Sequence, residues 1–421
     1  MSLDVFVRGE LPKWVRVQQR LDATVVDDVS SAVETEFARS YVRSAVRPGT
    51  RVALGVGSRG IDRLADVVQA AAREVRKLGA EPFVVPAMGS HGGATAEGQI
   101  EVLAQYGITP DSVGCEIRAS MDTTALGTVD DVPVWFDRTA LEQADAVIPI
   151  NRVKPHTDFH ADLESGLVKM IAIGLGKQKG ADTFHGRGFD QFHRLLPSVA
   201  EFTLRHVNIP FGIALIENGY SRLSLVEAVP SLTIVERERE LLQLARERMP
   251  RLPAESIDVL IIDHIGKDIS GIGSDTNVVN RYYSGALPFA PRIQRIVVRD
   301  LTPLSEGNAS GIGLADVVLR QAVEHMDPLQ TYMNCITAKT PEGARIPLTV
   351  DTDREAIHIA LACCVQVDPE RARIARIEDT KHLETFWASE ALLPQLLASE
   401  RVNAIGTLEP IRFDARGMLD P

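Results

Sequence analysis

The chain has 421 residues, 45% of them hydrophobic, and its 45 basic and 57 acidic residues give a net charge of −12. It is long enough to bury more than one core, so two or three domains are expected. The negative charge disfavours duplex nucleic acid and anionic membranes as main partners and leaves small molecules as better candidates. The first ten residues do not resemble a secretory signal, and no apolar run of about 18 residues is present, so a cytoplasmic protein is expected.

The first predicted elements alternate between strands and helices. The apolar run 51–57 predicts a strand, and the helical spacing of apolar residues over 61–77 predicts a helix. A strand over 81–87 and a helix over 96–106 repeat this order, and 144–150 predicts another buried strand. This alternation indicates a layered α/β domain.

The later part of the chain predicts a second α/β domain. The segment 235–249 is dense in Glu, Arg and Leu and predicts an exposed helix, and the boundary is placed near Pro253. The two expected domains are therefore 1–253 and 254–421. For the second domain, the apolar patterns predict strands at 257–263 and 295–300 and helices at 314–325 and 385–393.

Three loops with reactive residues follow predicted strands of the first domain. They contain the sequences SRG (58–60), GSHGG (89–93) and VKPH (153–156). Because ligands bind at the carboxyl ends of strands in open α/β sheets, these loops are expected at one rim and in one site.

The first loop belongs to the sequence GVGSRG, which matches the GxGxxG pattern of dinucleotide-binding proteins. However, the next strand ends in VVPA where a ribose-binding acid is expected, and Arg59 occupies a position that normally approaches the cofactor. The pattern therefore favours an anion-binding turn in which Arg59 binds a carboxylate or phosphate. An NAD-dependent dehydrogenase and a plain glycine-rich turn remain open as alternatives.

Histidines in the other two loops suggest acid/base or metal chemistry. His91 lies between glycines, which leave its imidazole accessible. His156 and His160 have the spacing of a metal-binding helix face, with acidic neighbours at Asp158, Asp162 and Glu164. A divalent-metal hydrolase or lyase is therefore open, although Pro155 favours a loop and a structural role for His160.

Lys169 and His185 follow the third loop. Lys169 lies in an apolar segment, where burial would favour a neutral, nucleophilic amine, although a lysine that extends from an apolar helix to solvent is the commoner case. His185 lies sixteen residues further on. Each residue alone has an ordinary explanation, whereas their order along the chain is more specific.

Taken together, these residues resemble the nickel-pincer lactate racemase family, whose members racemise or epimerise α-hydroxy acids. The motifs are an arginine after the first strand, a Gly-Ser-His turn, a Pro-His pair, a Gly-x-x-Lys and a later histidine, here Arg59, His91, Pro155-His156, Gly166 to Lys169 and His185. The resemblance covers most of the chain and is strongest over 51–185. It implies an isomerase with two α/β domains, the active site in the cleft between them and the C-terminal domain closing over the substrate.

The resemblance also implies roles for individual residues. Lys169 would hold a nickel-pincer nucleotide covalently, and His185 would be the protein ligand of nickel. His91 and His156 would be the acid/base pair, and Arg59 would bind the carboxylate of a small 2-hydroxy acid. The α-carbon would be inverted by reversible hydride transfer to the cofactor, and the enzymes that synthesise this cofactor would be partners.

This chain departs from the family pattern at several positions. Val56 stands where the family usually has an aspartate, and Asn280 and Tyr283 align with a substrate-binding Gln-x-x-Lys. Losing that lysine charge predicts hydrogen bonding to a hydroxylated substrate, such as a sugar acid, in preference to lactate. The longer spacing before Lys169 leaves His160 as a rival to His156, and a non-enzymatic nucleotide carrier is a further alternative. The sequence leaves the 2-hydroxy acid and the oligomeric state open.

Overall fold

The computed structural model describes residues 3–57, 60–283, 285–286 and 290–420. The chain has a mixed α/β fold that divides into two compact units. The N-terminal unit is Asp22–Met249, and the C-terminal unit combines the residues up to Leu21 with those from Pro250 onward. Among the described residues, no helix has the length and apolar character needed to cross a membrane.

The strands and helices are numbered separately in chain order. The strands are β1 (Lys13–Gln19), β2 (Arg51–Val56), β3 (Glu81–Pro86), β4 (Thr123–Val129), β5 (Val132–Asp137), β6 (Ala146–Arg152), β7 (Phe211–Glu217), β8 (Leu223–Pro230), β9 (Ser256–Ile265), β10 (Arg281–Tyr282), β11 (Gly285–Ala286), β12 (Arg292–Leu301), β13 (Val317–Leu319), β14 (Leu348–Val350), β15 (Ile374–Ile377), β16 (Thr385–Ser389) and β17 (Val402–Pro410). The helices are α1 (Val29–Phe37), α2 (Ser40–Ala45), α3 (Leu64–Lys77), α4 (Ala96–Gln105), α5 (Pro110–Val113), α6 (Arg138–Gln143), α7 (Leu167–Ala172), α8 (Lys177–His185), α9 (Phe192–His206), α10 (Ile234–Arg248), α11 (Thr276–Val279), α12 (Arg320–Glu324), α13 (Pro328–Thr337), α14 (Asp353–Ala362) and α15 (Leu393–Leu396).

A five-stranded sheet forms the centre of the N-terminal unit. Its order is β3-β2-β6-β7-β8, and only β8 runs antiparallel to its neighbour. In β2, Val52 and Leu54 pack into the core on one face and Ala53 into the core on the other. Both faces are therefore buried, as expected for parallel strands covered by helices. The predicted strands β2, β3 and β6 are confirmed.

The predicted helices α3 and α4 are confirmed with small changes at their starts. Helix α3 begins at Leu64 instead of 61, because Arg63 has left-handed backbone dihedral angles (φ 57°) and interrupts the helical path. Helix α4 begins at Ala96, where the Thr95 side chain accepts the backbone N–H of Gly98 at 3.0 Å. This bond satisfies a donor that the first turn of a helix leaves unpaired.

The C-terminal unit contains an eight-stranded sheet of order β14-β13-β12-β9-β15-β16-β1-β17. The strands from β14 to β15 run parallel, whereas β16, β1 and β17 run antiparallel to their neighbours. The predicted strands β9 and β12 are confirmed. Because β1 is bonded to β16 and β17, the first 21 residues belong to this unit, which differs from the single expected segment 1–253.

Two helix predictions in the C-terminal unit are only partly correct. The segment 314–325 contains strand β13, and its α-helical part is limited to Arg320–Glu324. The segment 385–393 begins with strand β16, in which Phe386 and Ala388 are buried at alternate positions. Both apolar runs are short, and the sheet's backbone hydrogen bonds decide their conformation.

Candidate functional site

The three strands that precede the reactive loops end at one edge of the N-terminal sheet. Strands β3, β2 and β6 are adjacent and parallel, so the loops after them leave from the same side. The chain therefore leaves all three strands at a common rim, as predicted. A Cβ added to Gly57 would lie 3.1 Å from Asn151 Oδ1 and 3.2 Å from Met170 Cε, so the first loop starts against β6 and α7. Arg59 itself lies outside the described residues.

The loop 88–95 presents His91 at its surface. Nδ1 of His91 is 2.8 Å from the carbonyl oxygen of Met88. A carbonyl can only accept a hydrogen bond, so in the neutral ring Nδ1 carries the proton and Nε2 carries the lone pair. His91 thus has the protonation pattern of a base at Nε2.

Close backbone packing holds this loop against helix α4. Gly92 has a left-handed conformation (φ 67°), and a Cβ on it would lie 2.5 Å from the carbonyl carbon of Gly98. The side chain of Gln99 donates to the carbonyl oxygens of Gly89 (3.0 Å) and His91 (3.3 Å). Glycine is required at position 92 because of both the backbone angle and this contact.

The loop 153–166 carries His156 and contains no helix. The carboxylate of the buried residue Glu164 organises it by accepting the backbone N–H groups of His156 (2.5 Å) and Ala161 (3.0 Å). Glu164 also forms an ion pair with Arg246 at 2.6 Å. The loop is therefore held by a buried charge, which is stable because it is paired and hydrogen-bonded.

His156 is oriented by its own loop. Its Nδ1 accepts the backbone N–H of Asp158 at 3.0 Å and lies 3.5 Å from the carboxylate of Asp158. In the neutral ring this acceptor role of Nδ1 puts the proton on Nε2. The Nε2 atom contacts Nζ of Lys169. In their neutral forms, His156 therefore carries its proton on Nε2 and His91 carries its proton on Nδ1.

Lys169 is the third residue of α7, and a second buried acid fixes the start of this helix. Glu238 of α10 accepts the backbone N–H groups of Val168, at 2.9 Å, and Leu167. A Cβ on Gly166 would lie 2.4 Å from the Glu238 carboxyl group, so only glycine fits there. Burial raises the pKa of Glu238 to about 8, against the opposing effect of the two hydrogen bonds.

His185 is the last residue of α8 and lies on an aromatic cluster formed by Phe159, Phe189 and Phe192. Its ring centroid is 5.6 Å from that of Phe189 and 6.0 Å from that of Phe192. The ring of His156 contacts the same cluster, at 4.5 Å from Phe159 and 6.1 Å from Phe189. The structure therefore brings Lys169, His156 and His185 together around one set of rings.

The predicted metal site on a helix face is not formed by the described residues. His160 lies in the same non-helical loop as His156 and pairs with Glu164 at 3.0 Å. In the described part of the chain, three metal-ligating atoms lie within 4.8 Å of one another only in a different place, at Glu378, Asp379 and His382. The spacing of four residues was informative only for a helix.

Asn280 and Tyr283 belong to the C-terminal unit. Asn280 is only 2% exposed, has a left-handed backbone conformation (φ 47°) and donates to the carbonyl oxygen of Pro291 at 3.3 Å. Tyr283 is half-buried, and its hydroxyl oxygen lies 2.5 Å from the position that a Cβ on Gly343 would occupy. Asn280 therefore has a clear structural role, whereas the Tyr283 hydroxyl packs against a glycine.

Sequence reasoning considered Glu164 only as a possible metal ligand, and it missed three other residues that support the site, namely Glu238, Gln99 and Lys177. Helix α10 was predicted correctly but as exposed, whereas Glu238 is 1% exposed. A signal was present, because Glu238 shares a helical face with buried apolar residues, namely Ile234, Leu241, Leu242 and Ala245. An acid on the apolar face of a helix is rare unless it has a specific partner.

Comparisons with known proteins give one informative result. No model of a known protein family matches this chain, and no curated protein matches its sequence. Among solved structures, the lactate racemase apoprotein from Thermoanaerobacterium thermosaccharolyticum is similar to it with a TM-score of 0.54. The two share 13% sequence identity over 87% of this chain and 98% of that one. At this identity, the similarity shows a shared α/β fold.

Proposed function

We propose that this protein is a racemase or epimerase that inverts the α-carbon of a small 2-hydroxy acid. The observation that carries this proposal is the contact between Lys169 and His156, with His185 on the same aromatic cluster. An amine and two imidazoles at one rim match the residue set that the family resemblance assigns to cofactor attachment, metal ligation and proton transfer. The fold similarity to a lactate racemase apoprotein gives independent support.

The residues present fit a nickel-pincer nucleotide. Lys169 would hold it through a covalent bond to its amine, and the contact with an imidazole nitrogen is compatible with the neutral amine that such a bond requires. His185 would supply the nitrogen ligand to nickel, a metal that imidazole suits. When bound, this group supplies the hydride acceptor, and the protein's residues bind and orient the substrate and move its protons.

Proton transfer would be divided between His91 and His156. In one direction, Nε2 of His91 takes the hydroxyl proton of the substrate as the α-carbon becomes planar. His156, in its imidazolium form, would return a proton to the keto oxygen from Nε2. The two histidines then exchange roles for the reverse direction, so protons balance over one cycle in each direction.

Substrate binding would involve Arg59 and Tyr283. Arg59 would bind the carboxylate through its planar guanidinium. Asn280 already donates to Pro291, so Tyr283 is the better candidate of the two C-terminal residues for the other end of the substrate. A neutral hydroxyl in place of a lysine favours a hydroxylated chain over lactate.

The decisive experiment measures the intact mass of protein produced together with the cofactor-synthesis enzymes. We expect a covalent adduct on the wild type and none on Lys169→Ala. Lys179→Ala is a matched control, because Lys179 is exposed and stacks over Trp135 at 4.9 Å. In deuterated water, loaded protein should invert a sugar acid faster than lactate, with little deuterium at Cα, because hydride returns to the same carbon.

The opposite results would identify an alternative. An adduct on Lys169→Ala, or stoichiometric zinc without any adduct, would contradict the proposed cofactor and support a metal-dependent hydrolase or lyase. Full deuterium exchange at Cα would contradict hydride transfer. Reduction of NAD by the unloaded protein would favour a dehydrogenase that uses GVGSRG.

A further inference from the structure

A buried charged cluster lies between loop 88–95 and helix α8. The side chains of Lys177, Asp137 and Gln99 are completely buried. Nζ of Lys177 is 2.8 Å from Oδ2 of Asp137, 2.5 Å from the carbonyl oxygen of Pro86 and 3.3 Å from Oε1 of Gln99. Lys177 and Asp137 form an ion pair, but the geometry of this contact is not that of a hydrogen bond. A buried lysine is costly unless it is paired, so the cluster requires a reason to exist.

The side-chain amide of Gln99 connects this cluster to loop 88–95, which carries His91. Its Nε2 donates to the carbonyl oxygens of Gly89 and His91, while its Oε1 accepts from Lys177. Carbonyl oxygens only accept and an ammonium group only donates, so the amide fits in one orientation alone. Lys177 therefore determines which way Gln99 points, and Gln99 determines where two carbonyl groups of the loop lie.

The same lysine connects the loop to the helix that carries His185. Lys177 is the first residue of α8 and His185 is its last. Pro86 ends strand β3, directly before the loop. A Cβ on Gly89 would lie 3.5 Å from Cβ of Ala181, so the loop also rests on α8 one turn before His185. Lys177 thus links the start of the segment that carries His91 to the start of the helix that carries His185.

We infer that Lys177 and Gln99 are positioning residues that hold the His91 loop in register with helix α8. Neither residue is exposed, so neither contacts the substrate. Burial lowers the pKa of Lys177, and Asp137 opposes this effect, which accounts for the paired acid. The catalytic part of this inference rests on the proposed role of His91, whereas the structural part does not.

Hydrogen exchange on cofactor-free protein tests the structural part. The amides of His91, Ala94 and Thr95 are bonded within the loop and report on its order. Gln99→Met removes the hydrogen bonds of Gln99 to Lys177 and to the two loop carbonyl groups. Gln99→Glu keeps the acceptor for Lys177 but replaces the donor to the two loop carbonyl groups with an oxygen. Both variants should exchange at least about tenfold faster over 88–95, as expected from losing one or two hydrogen bonds. The amide exchange rates of Lys154 and Ser165, in loop 153–166, should stay within about twofold of their wild-type values.

The matched control is Lys179→Met, because Lys179 is exposed on the same helix and should change neither loop. Lys177→Met should resemble Gln99→Met, and the double variant Lys177→Met with Asp137→Asn avoids leaving an unpaired buried acid. Unchanged protection of 88–95 in both Gln99 variants would overturn the inference. If one of the two Gln99 variants does not fold, exchange over 88–95 is compared between the wild type, the other Gln99 variant and the double variant.

Kinetics of the loaded enzyme test the catalytic part. A displaced His91 should lower kcat about tenfold in Gln99→Glu and leave KM within about threefold, because an acid/base group depends on exact distance. A purely structural cluster would lower thermal stability and leave kcat per folded molecule unchanged, which would overturn the catalytic part. Faster exchange in a protein that inverts no 2-hydroxy acid would contradict the proposed function and leave the link between Lys177 and the loop intact.

Discussion

The two loops of the N-terminal unit that carry His91 and His156 lie at the same rim but are held in place by different interactions. Loop 88–95 is held by glycine packing and by the amide of Gln99, and His91 Nδ1 bonds to a neutral carbonyl group. Loop 153–166 is held by the buried carboxylate of Glu164, and His156 has a second carboxylate beside its ring. The difference shows that two loops at one rim can be held in place either by backbone packing and an amide or by a buried carboxylate.

The largest expected effect comes from removing either histidine. His91→Asn and His156→Asn should each lower turnover at least about 100-fold, the lower range for a lost acid/base group. Cofactor and nickel loading should remain, since neither residue is the proposed anchor. Loading is measured by intact mass and metal analysis, and turnover by following inversion of a 2-hydroxy acid.

His160→Asn is the control for this pair. His160 is in the same loop but pairs with Glu164 at the surface, so its replacement should leave turnover within about threefold. A loss of turnover in His160→Asn, with none in His156→Asn, would exchange the two assignments. Loss of loading in His91→Asn or His156→Asn would instead identify a ligand.

A smaller effect is expected from replacing Glu164, which should destabilise loop 153–166 and leave loop 88–95 unchanged. Glu164→Ala leaves the guanidinium of Arg246 without its acid and two backbone donors without their acceptor. Breaking such a buried pair should cost about 3 kcal/mol, which lowers the melting midpoint by roughly 10 °C. Faster hydrogen exchange should appear in 153–166 and be absent from 88–95.

Glu247→Ala provides the comparison, because Glu247 is an exposed acid next to Arg246 on helix α10. Its replacement should change the midpoint by less than about 2 °C. If both variants destabilise equally, Glu164 does not organise the loop in the way that its hydrogen bonds indicate.

The rim could be predicted from the sequence because its signals are local. Apolar runs and helical spacing identified β2, β3, β6 and α4, and parallel strands direct their following loops to one edge. The pairing of β1 with β16 and β17 could not be predicted in this way. Its partners lie more than 360 residues away, and no local pattern specifies such a register.

The site itself was predicted only in part, and for a related reason. Histidines and a lysine in loops are visible in the sequence, whereas the residues that orient them act through burial and distant contacts. Gln99 bonds to a lysine 78 positions later, and Glu238 bonds to an amide 70 positions earlier. The apolar face of α10 marks Glu238 as an acid that needs a partner, but no local feature of the sequence identifies that partner, and the sequence around Gln99 gives no such signal.

The smallest expected effect is a pH dependence of stability that comes from Glu238, the acid that accepts the backbone N–H groups at the start of α7. Glu238 has a pKa near 8 in the folded protein, above its ordinary value of 4.5, so the folded state holds a proton that the unfolded state has released. This contribution to stability is complete below about pH 4.5 and is lost as the pH rises through 8. Each pH unit between these limits costs up to about 1.4 kcal/mol. The melting midpoint should therefore fall by roughly 5 °C between pH 6 and pH 8.

Glu238→Gln should flatten this dependence, since the amide keeps an acceptor for the N–H groups of Leu167 and Val168 but cannot ionise. At pH 8 the variant should therefore melt above the wild type. Glu240→Gln, an exposed position on the same helix that pairs with Arg237, should retain the wild-type slope. Equal slopes in all three proteins would mean that Glu238 is already ionised at pH 6. The start of α7 would then be held by a buried charge, like loop 153–166, instead of by a neutral acid.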